Sequence, residues 1–109
     1  MMDDDVLVVF TNLPDADSAQ RLAMALLESH TAACVNVLSG CRSVYRWQGS
    51  IETAEEVPVL IKTTRRRYEA LERELRAHHP YELPEIVALP AVGGLAAYLD
   101  WVRAETRPA

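Results

Sequence analysis

The stretch Val44-Tyr45-Arg46-Trp47-Gln48-Gly49-Ser50 lies near the middle of the chain and decides its fold. Strand-forming residues lead into the Gln48-Gly49 pair, and this pattern predicts a tight β-hairpin. The strand before the turn begins near Cys34, with a bulge or kink expected at Ser39-Gly40. The strand after the turn runs to about Thr63. The sequence therefore predicts one long hairpin at its centre.

A strand and a helix precede this hairpin. The apolar run at residues 6–10 predicts a first strand over residues 5–11 that is buried on both faces and therefore central in its sheet. Residues 12–15 read as a turn. Asp15 or Asp17 is expected to cap a helix that ends near Ser29.

A helix, a strand and a second helix follow the hairpin. Residues 65–78 carry an apolar stripe at helical spacing, and residues 86–89 predict a fourth strand. A last helix is expected to bury one stripe, made of Leu95, Tyr98, Leu99 and Val102. The order β-α-β-β-α-β with a C-terminal helix is typical of an α+β, ferredoxin-like sandwich. We interpret residues 1–109 as a single domain.

Pro58 conflicts with a central third strand, because proline cannot complete the hydrogen-bond ladder there. The conflict disappears if only residues 59–63 lie beside the first strand. Residues 50–58 would then belong to a hairpin arm with one unpaired edge, carrying Tyr45 and Trp47. Such an edge needs a cover, and the simplest cover is another copy of the chain.

Composition excludes several classes of function. The chain has 109 residues and a formal net charge of −5, which argues against non-specific nucleic-acid binding. No apolar run approaches the roughly 20 residues of a membrane span, and the acidic N-terminus is unlike a targeting peptide, so we expect a cytoplasmic protein. In one continuous strand Cys34 and Cys41 would lie about 23 Å apart, which predicts two free thiols.

Titratable residues concentrate in residues 78–85, where two prolines stiffen the chain. One interpretation is a metal site built from His78 and His79 with Glu82 or Glu85, since imidazole suits copper, zinc and nickel. Adjacent helical residues point about 100° apart, so these two rings chelate one ion poorly. The other interpretation places one histidine at the helix C-terminus and packs the other in the loop.

Cations follow the third strand. Lys62 ends an apolar strand and can reach a cleft with Tyr81 and Glu85. Residues 65–67 are three arginines at a predicted helix start, where the helix dipole does not favour cations. They form either an anion-binding cluster or, as we favour, a solvated surface with i,i+4 partners on the helix. No nucleophile motif frames the serines or histidines, so we expect no catalysis.

Five segments occur together in one order: residues 32–36, 45–49, 60–63, 79–85 and 98–101. In this order and spacing the chain resembles the CutA divalent-cation tolerance family over nearly its whole length. The resemblance implies a ferredoxin-like subunit, a homotrimer to which the hairpin arm contributes, and an association with copper and other divalent metals. Some relatives add a first-strand cysteine to the paired histidines as ligands. Phe10 stands at that position here, which leaves nitrogen and oxygen donors.

Three functions are consistent with these observations. The first is a non-enzymatic homotrimer that binds copper(II) or another divalent cation weakly, with His78, His79 and Glu85 as the candidate ligands. The second is a signalling module similar to the trimeric PII proteins, with a small ligand held in clefts between subunits. The third is a scaffolding trimer with an indirect link to metals. The cleft of the second function would contain Trp47, Lys62, His79, Tyr81, Glu85 and Tyr98.

Overall fold

A computed structural model describes residues 1–108 of the chain. The elements follow the predicted order: β1 (Val6–Leu13), α1 (Ala16–Glu28), β2 (Cys34–Val37), β3 (Cys41–Trp47), β4 (Ser50–Thr64), α2 (Tyr68–His78), β5 (Val87–Pro90) and α3 (Ala96–Glu105). The strands form an antiparallel sheet in the order β2-β4-β1-β5, with β3 paired to the outer part of β4. The α+β, ferredoxin-like arrangement is confirmed, with β1 and β4 at the centre.

The first strand is longer than predicted. Asn12 and Leu13 belong to β1 and pair with Pro58 and Val57, so the turn expected at residues 12–15 begins later. Pro58 therefore does lie beside β1. Its carbonyl accepts the Leu38 N–H at 2.9 Å, which places its hydrogen-bonding side toward the end of β2, away from β1. The hydrogen bond that proline cannot donate is therefore missing at the end of the ladder between β2 and β4. The ladder between β1 and β4 loses no hydrogen bond at Pro58.

The hydrophobic core lies between one face of the sheet and helices α1 and α2. Val9, Val59 and Ile61 point from the central strands into this layer and are fully buried. The helices supply the opposing apolar side chains, namely Leu22, Leu26, Leu71 and Leu75. Asp15 caps α1 by accepting the Ser18 N–H at 2.7 Å, as one of the two predicted caps.

The other face of the sheet, which we call the open face, is covered only in part. Alternation along β1 and β4 places Val8, Phe10 and Leu60 on this side, and all three are half-buried. On β5, Val87 and Leu89 are 49% and 56% exposed. An apolar surface therefore remains uncovered in the subunit.

Helix α3 covers one part of the open face, where it packs against β1 and β4. Only Val102 of its predicted stripe is buried, whereas Leu95 is 75% exposed and Tyr98 is 39% exposed. The expectation of a buried four-residue stripe is wrong for this chain.

The hairpin arm consists of residues 41–56. The register runs from Cys41 opposite Glu56 to Trp47 opposite Ser50, and the turn residues Gln48 and Gly49 have φ of 48° and 83°. Two positive φ values give the hairpin turn whose twist matches its strands. Within residues 1–108 the outer edge of β3 has no strand partner.

Cys34 and Cys41 are both free thiols, as expected. Among the described residues, no helix has the length and apolarity that crossing a membrane requires.

Candidate functional site

His79 anchors the loop that follows α2. The side chain is 8% exposed, and its Nε2 lies 2.9 Å from the carbonyl oxygen of Asn12. The backbone N–H of Tyr81 donates to Nδ1 at 3.2 Å. Since an amide N–H can only donate, Nδ1 carries no proton and Nε2–H donates to Asn12. Burial lowers the pKa of His79, although the bond to Asn12 and the charge of Glu56 oppose this effect.

Tyr81 joins this loop to the base of the arm. Its hydroxyl donates to Oε2 of Glu56 at 2.8 Å, and its ring lies 5.0 Å from that of His79, measured between centroids. Burial and the adjacent Glu56 carboxylate raise the pKa of Tyr81, so the phenol remains protonated and continues to donate. The loop is therefore held to β1 through His79 and to β4 through Tyr81.

A groove with a volume of about 790 Å³ lies between this loop and the open-face side of the arm. Tyr45 and Trp47 line it on the arm side, and the loop side combines Pro80, Tyr81 and Leu83 with two carboxylates. The ionisable carboxylates that line it are Glu56, Glu82 and Glu85, and no lysine, arginine or histidine is among the described lining residues. The groove of a single subunit thus presents acceptors and aromatic faces rather than cations.

Asn12 connects the groove to the core. It is 6% exposed, and its Nδ2 donates to Oε1 of Glu85 at 3.4 Å. Its side-chain oxygen is buried and has no hydrogen-bond partner among residues 1–108.

The three candidate metal ligands do not meet in one subunit. Both ring nitrogens of His79 are occupied, His78 is exposed with Nε2 3.4 Å from Glu74, and Glu85 contacts Asn12 across the groove. Within residues 1–108 no group of three histidine, cysteine or acidic side chains is arranged to hold a metal ion. The donors of one subunit therefore do not fit a closed metal site, and His78 is the exposed imidazole of the predicted pair.

The candidate cleft residues separate into two clusters. Trp47, Tyr81 and Glu85 line the groove, with His79 directly behind Tyr81. Lys62 lies further along the open face, where its ammonium donates to Asn36. Cys34 also contacts Asn36, at 3.8 Å, and burial together with this thiol raises the pKa of Tyr98. We call Lys62, Asn36, Cys34 and Tyr98 the lysine cluster.

The sequence interpretation missed two residues of the groove. Asn12 was assigned to a turn, and Glu56 was one of several acidic residues on the arm. The only signal for Asn12 was a polar residue directly after a buried apolar run. Glu56 becomes distinctive only through its contact with Tyr81, which lies 25 positions later.

Comparison with known proteins identifies the family. The profile described as "CutA1 divalent ion tolerance protein" matches residues 7–105. The chain is 44% identical over 99 residues to the divalent-cation tolerance protein CutA of Thermus thermophilus, covering 91% of this chain and 96% of that protein. It is 45% identical over 103 residues to CutA of Pectobacterium atrosepticum, covering 94% of each.

Solved structures agree with the sequence comparison. The crystal structure of CutA from Xylella fastidiosa superposes with a TM-score of 0.91 at 43% identity, covering 94% of this chain and 99% of that one. CutA1 from Oryza sativa gives a TM-score of 0.91 at 37% identity, with 96% of both chains covered. The chain belongs to the CutA1 divalent ion tolerance protein family.

Proposed function

We propose that this chain works as a homotrimer in divalent-cation tolerance, binds copper(II) or a similar ion weakly, and is not an enzyme. The observation that carries the proposal is the uncovered open face beside an arm with a free edge. A subunit that leaves Val87 and Leu89 half-exposed next to half-buried Val8, Phe10 and Leu60 has an apolar surface suited to a permanent interface.

The two free edges support a ring rather than a two-fold dimer. The arm offers the outer edge of β3, while β5 at the other side of the sheet pairs only with β1 in the described residues. Contact between two different surfaces is heterologous, and it generates a closed ring when the rotation closes. The family resemblance gives three as the number of subunits.

Assembly is tested by sedimentation equilibrium and by native mass spectrometry of protein purified without a chelator or an affinity tag. We expect a trimer at micromolar concentration. A monomer under these conditions would refute the assembly and leave the open face unexplained.

Weak copper binding is supported by the one exposed imidazole of the pair. His78 lies beside Glu74, which gives a nitrogen and an oxygen donor on the surface of α2. Such an open pair holds an ion loosely, and copper(II) binds nitrogen and oxygen donors more strongly than zinc does. His79 contributes only if it gives up its bonds to Asn12 and Tyr81.

Calorimetry with copper(II) at pH 7.5 and pH 5.5 tests this site. His78→Ala is expected to weaken binding at pH 7.5, and in the parent protein binding should be weaker at pH 5.5, because protons compete with the metal ion for its ligands. His30→Ala is the matched control, since it removes an imidazole elsewhere. Equal affinity in the parent and in His78→Ala would show that this histidine does not bind the metal.

A second candidate function is a ligand site between subunits, and the groove favours it. Within one subunit the groove and the lysine cluster are separated, because Lys62 and Glu56, which lines the groove, are six residues apart on β4, or roughly 20 Å. A neighbour placed on the open face would bring its Lys62 and Tyr98 toward the carboxylates of the groove. The combined site would then contain both donors and acceptors.

This candidate predicts a small molecule that is retained by the assembled protein. Native mass spectrometry of the trimer, followed by denaturing extraction, is expected to detect it in the parent but not in Lys62→Ala or Glu85→Ala. Arg42→Ala is the control, because Arg42 lies on the opposite side of the arm and pairs with Glu55. Retention in all four proteins would exclude the shared cleft.

We also propose a cytoplasmic location, which the two free thiols support. Relatives differ in this respect: one structure is titled a periplasmic protein from Archaeoglobus fulgidus, and the rice relative is named chloroplastic. Fractionation of the native host with an antibody against the chain tests the proposal.

A further inference from the structure

The three arginines at residues 65–67, directly after β4, have no role in the proposed function. The i,i+4 ion pairs considered for this region, Arg65-Glu69, Glu69-Arg73 and Glu72-Arg76, are absent among residues 1–108. Glu72 instead accepts from Tyr68. The backbone N–H groups of Arg65 and Arg66 bind the carbonyls of Asp5 and Asp3. Helix α2 begins at Tyr68 and not, as expected, at residue 65, because the N–H groups of Arg67 and Tyr68 bind the carbonyls three residues earlier and so close a tight turn before the helix. The three arginines therefore lie in a turn and not on a face of α2.

Two of these arginines meet two others from the end of the chain. Arg66 and Arg67 line a small pocket together with Arg103 and Arg107, which follow more than 35 residues later. Four of the eleven lysines and arginines of an acidic protein are thus gathered around one space. We call this space the arginine pocket. It begins at Thr64, about 26 Å along β4 from Glu56 in the groove, so the two sites are separate.

The carboxylates nearby neutralise the arginine pocket only in part. Asp4 is the acidic residue that lines it, and its carboxylate lies 3.5 Å from Arg66. Asp3 lies 3.8 Å from the same guanidinium, and Asp100 pairs with Arg103 at 2.9 Å. The Arg66 pairs are solvent-exposed and long, and pairs of this kind contribute little to stability.

Arg67 and Arg107 have no carboxylate partner among residues 1–108. Arg67 donates to the carbonyl oxygens of Ser29 at 3.3 Å and His30 at 3.4 Å, at the C-terminal end of α1. These acceptors fix the position of the guanidinium, and the dipole at the end of α1 offsets only part of its charge. A half-buried guanidinium that the fold already holds in place can bind an anion without first being ordered.

We propose that the arginine pocket binds a small tetrahedral oxyanion of the phosphate class, in competition with the side chain of Asp4. The pocket has a volume of about 140 Å³. At about 30 Å³ for each water, this is room for four or five waters, and a phosphate has five heavy atoms. Guanidinium groups match phosphate oxygens in geometry and remain charged at any physiological pH. The proposal rests neither on the proposed trimer nor on metal binding.

The test is calorimetry with inorganic phosphate at pH 7.5 and constant ionic strength, because exposed charges are screened by salt. Arg66→Gln/Arg107→Gln should weaken binding at least about tenfold, since it removes two charge-assisted contacts. Arg73→Gln/Arg76→Gln is the control, with the same change of charge on the exposed part of α2, and it should change affinity less than about twofold. Glycerol phosphate in place of phosphate distinguishes an ester from the free ion as the preferred ligand.

Asp4→Asn gives a result that misfolding cannot imitate. Removing the competing carboxylate should tighten phosphate binding several-fold, while the Asp4 backbone carbonyl still accepts from Arg103 Nε at 2.7 Å. Equal losses in the two arginine double variants, no gain in Asp4→Asn, or no saturable binding by the parent would each overturn the proposal.

Discussion

The two faces of the sheet carry similar amounts of apolar sequence but differ in how the subunit treats them. On the helix side Val9, Val59 and Ile61 are fully buried. On the open face Val8, Phe10 and Leu60 of the same strands are only half-buried, and Leu89 on β5 is 56% exposed. Because successive residues of a strand point to opposite faces, an unbroken apolar run supplies both layers.

This difference shows that an apolar sequence pattern predicts where a strand forms but not how completely each face of that strand is buried. The run at residues 6–10 correctly predicted a central strand. It did not reveal that the subunit has helices enough to cover one face and only α3 for the other. The core face is a property of the chain, whereas the open face is a property of the proposed assembly.

Placing a charge on the open face should have the largest effect, because it should prevent assembly while leaving the subunit folded. Leu89→Asp leaves the folded subunit nearly unchanged, because the side chain is already half in water. In the trimer it would bury an unpaired carboxylate, at a cost on the order of 3 kcal/mol for each subunit. We expect a folded monomer by sedimentation equilibrium and circular dichroism.

Met24→Asp is the control for this experiment. Met24 is 47% exposed on α1, away from the open face, so its charge should leave the trimer intact. If both variants remain trimeric, the open face is not the interface.

The core face should respond through folding instead of assembly. Ile61→Ala removes a fully buried side chain and should lower the free energy of unfolding by about 2–5 kcal/mol. Urea denaturation of the Leu89→Asp monomer provides the background in which to measure this loss. The comparison would fail if Ile61→Ala cost no more than Val87→Ala, at a half-exposed open-face residue, in that background.

The fold was predictable because its signals are local. The Gln48-Gly49 turn, the Asp15 cap and the apolar run at residues 6–10 each specify their own element. The errors arose where distant segments meet. Asn12 became strand because β4 continues opposite it, and the predicted first turn of α2 is replaced by a tight turn at residues 64–68, where the N-terminal segment binds the backbone.

The arm should show an intermediate effect on assembly. Trp47 is 39% exposed beside the free edge of β3, although it also lines the groove. Interface tryptophans commonly contribute more than 1 kcal/mol, so Trp47→Ala should weaken the trimer by about 1–2 kcal/mol without dissociating it at high concentration. The measurement is the subunit dissociation profile on dilution. A profile identical to the parent would assign Trp47 to the groove alone.

The candidate site was less predictable than the fold. His78 and His79 are adjacent in sequence, yet one is exposed on α2 and the other is buried against a carbonyl 67 positions away. No rule based on sequence spacing could have predicted Asn12 as the partner of His79. The expectation that one histidine packs in the loop describes His79 well, because its two nitrogens are used by Asn12 and Tyr81.

The smallest expected effect is a pH dependence of stability that belongs to His79. Burial lowers its pKa below the ordinary value of about 6.5, so the unfolded chain takes up a proton before the folded chain does. The free energy of unfolding should therefore be constant above that pH and decrease as pH falls below it. Urea denaturation at pH 7.5 and pH 5.5, with chelator present, measures the difference. His79→Gln should reduce this difference while keeping a donor toward Asn12, and His30→Gln should not. A decrease of the same size in His79→Gln as in the parent would show that the buried imidazole is not its source.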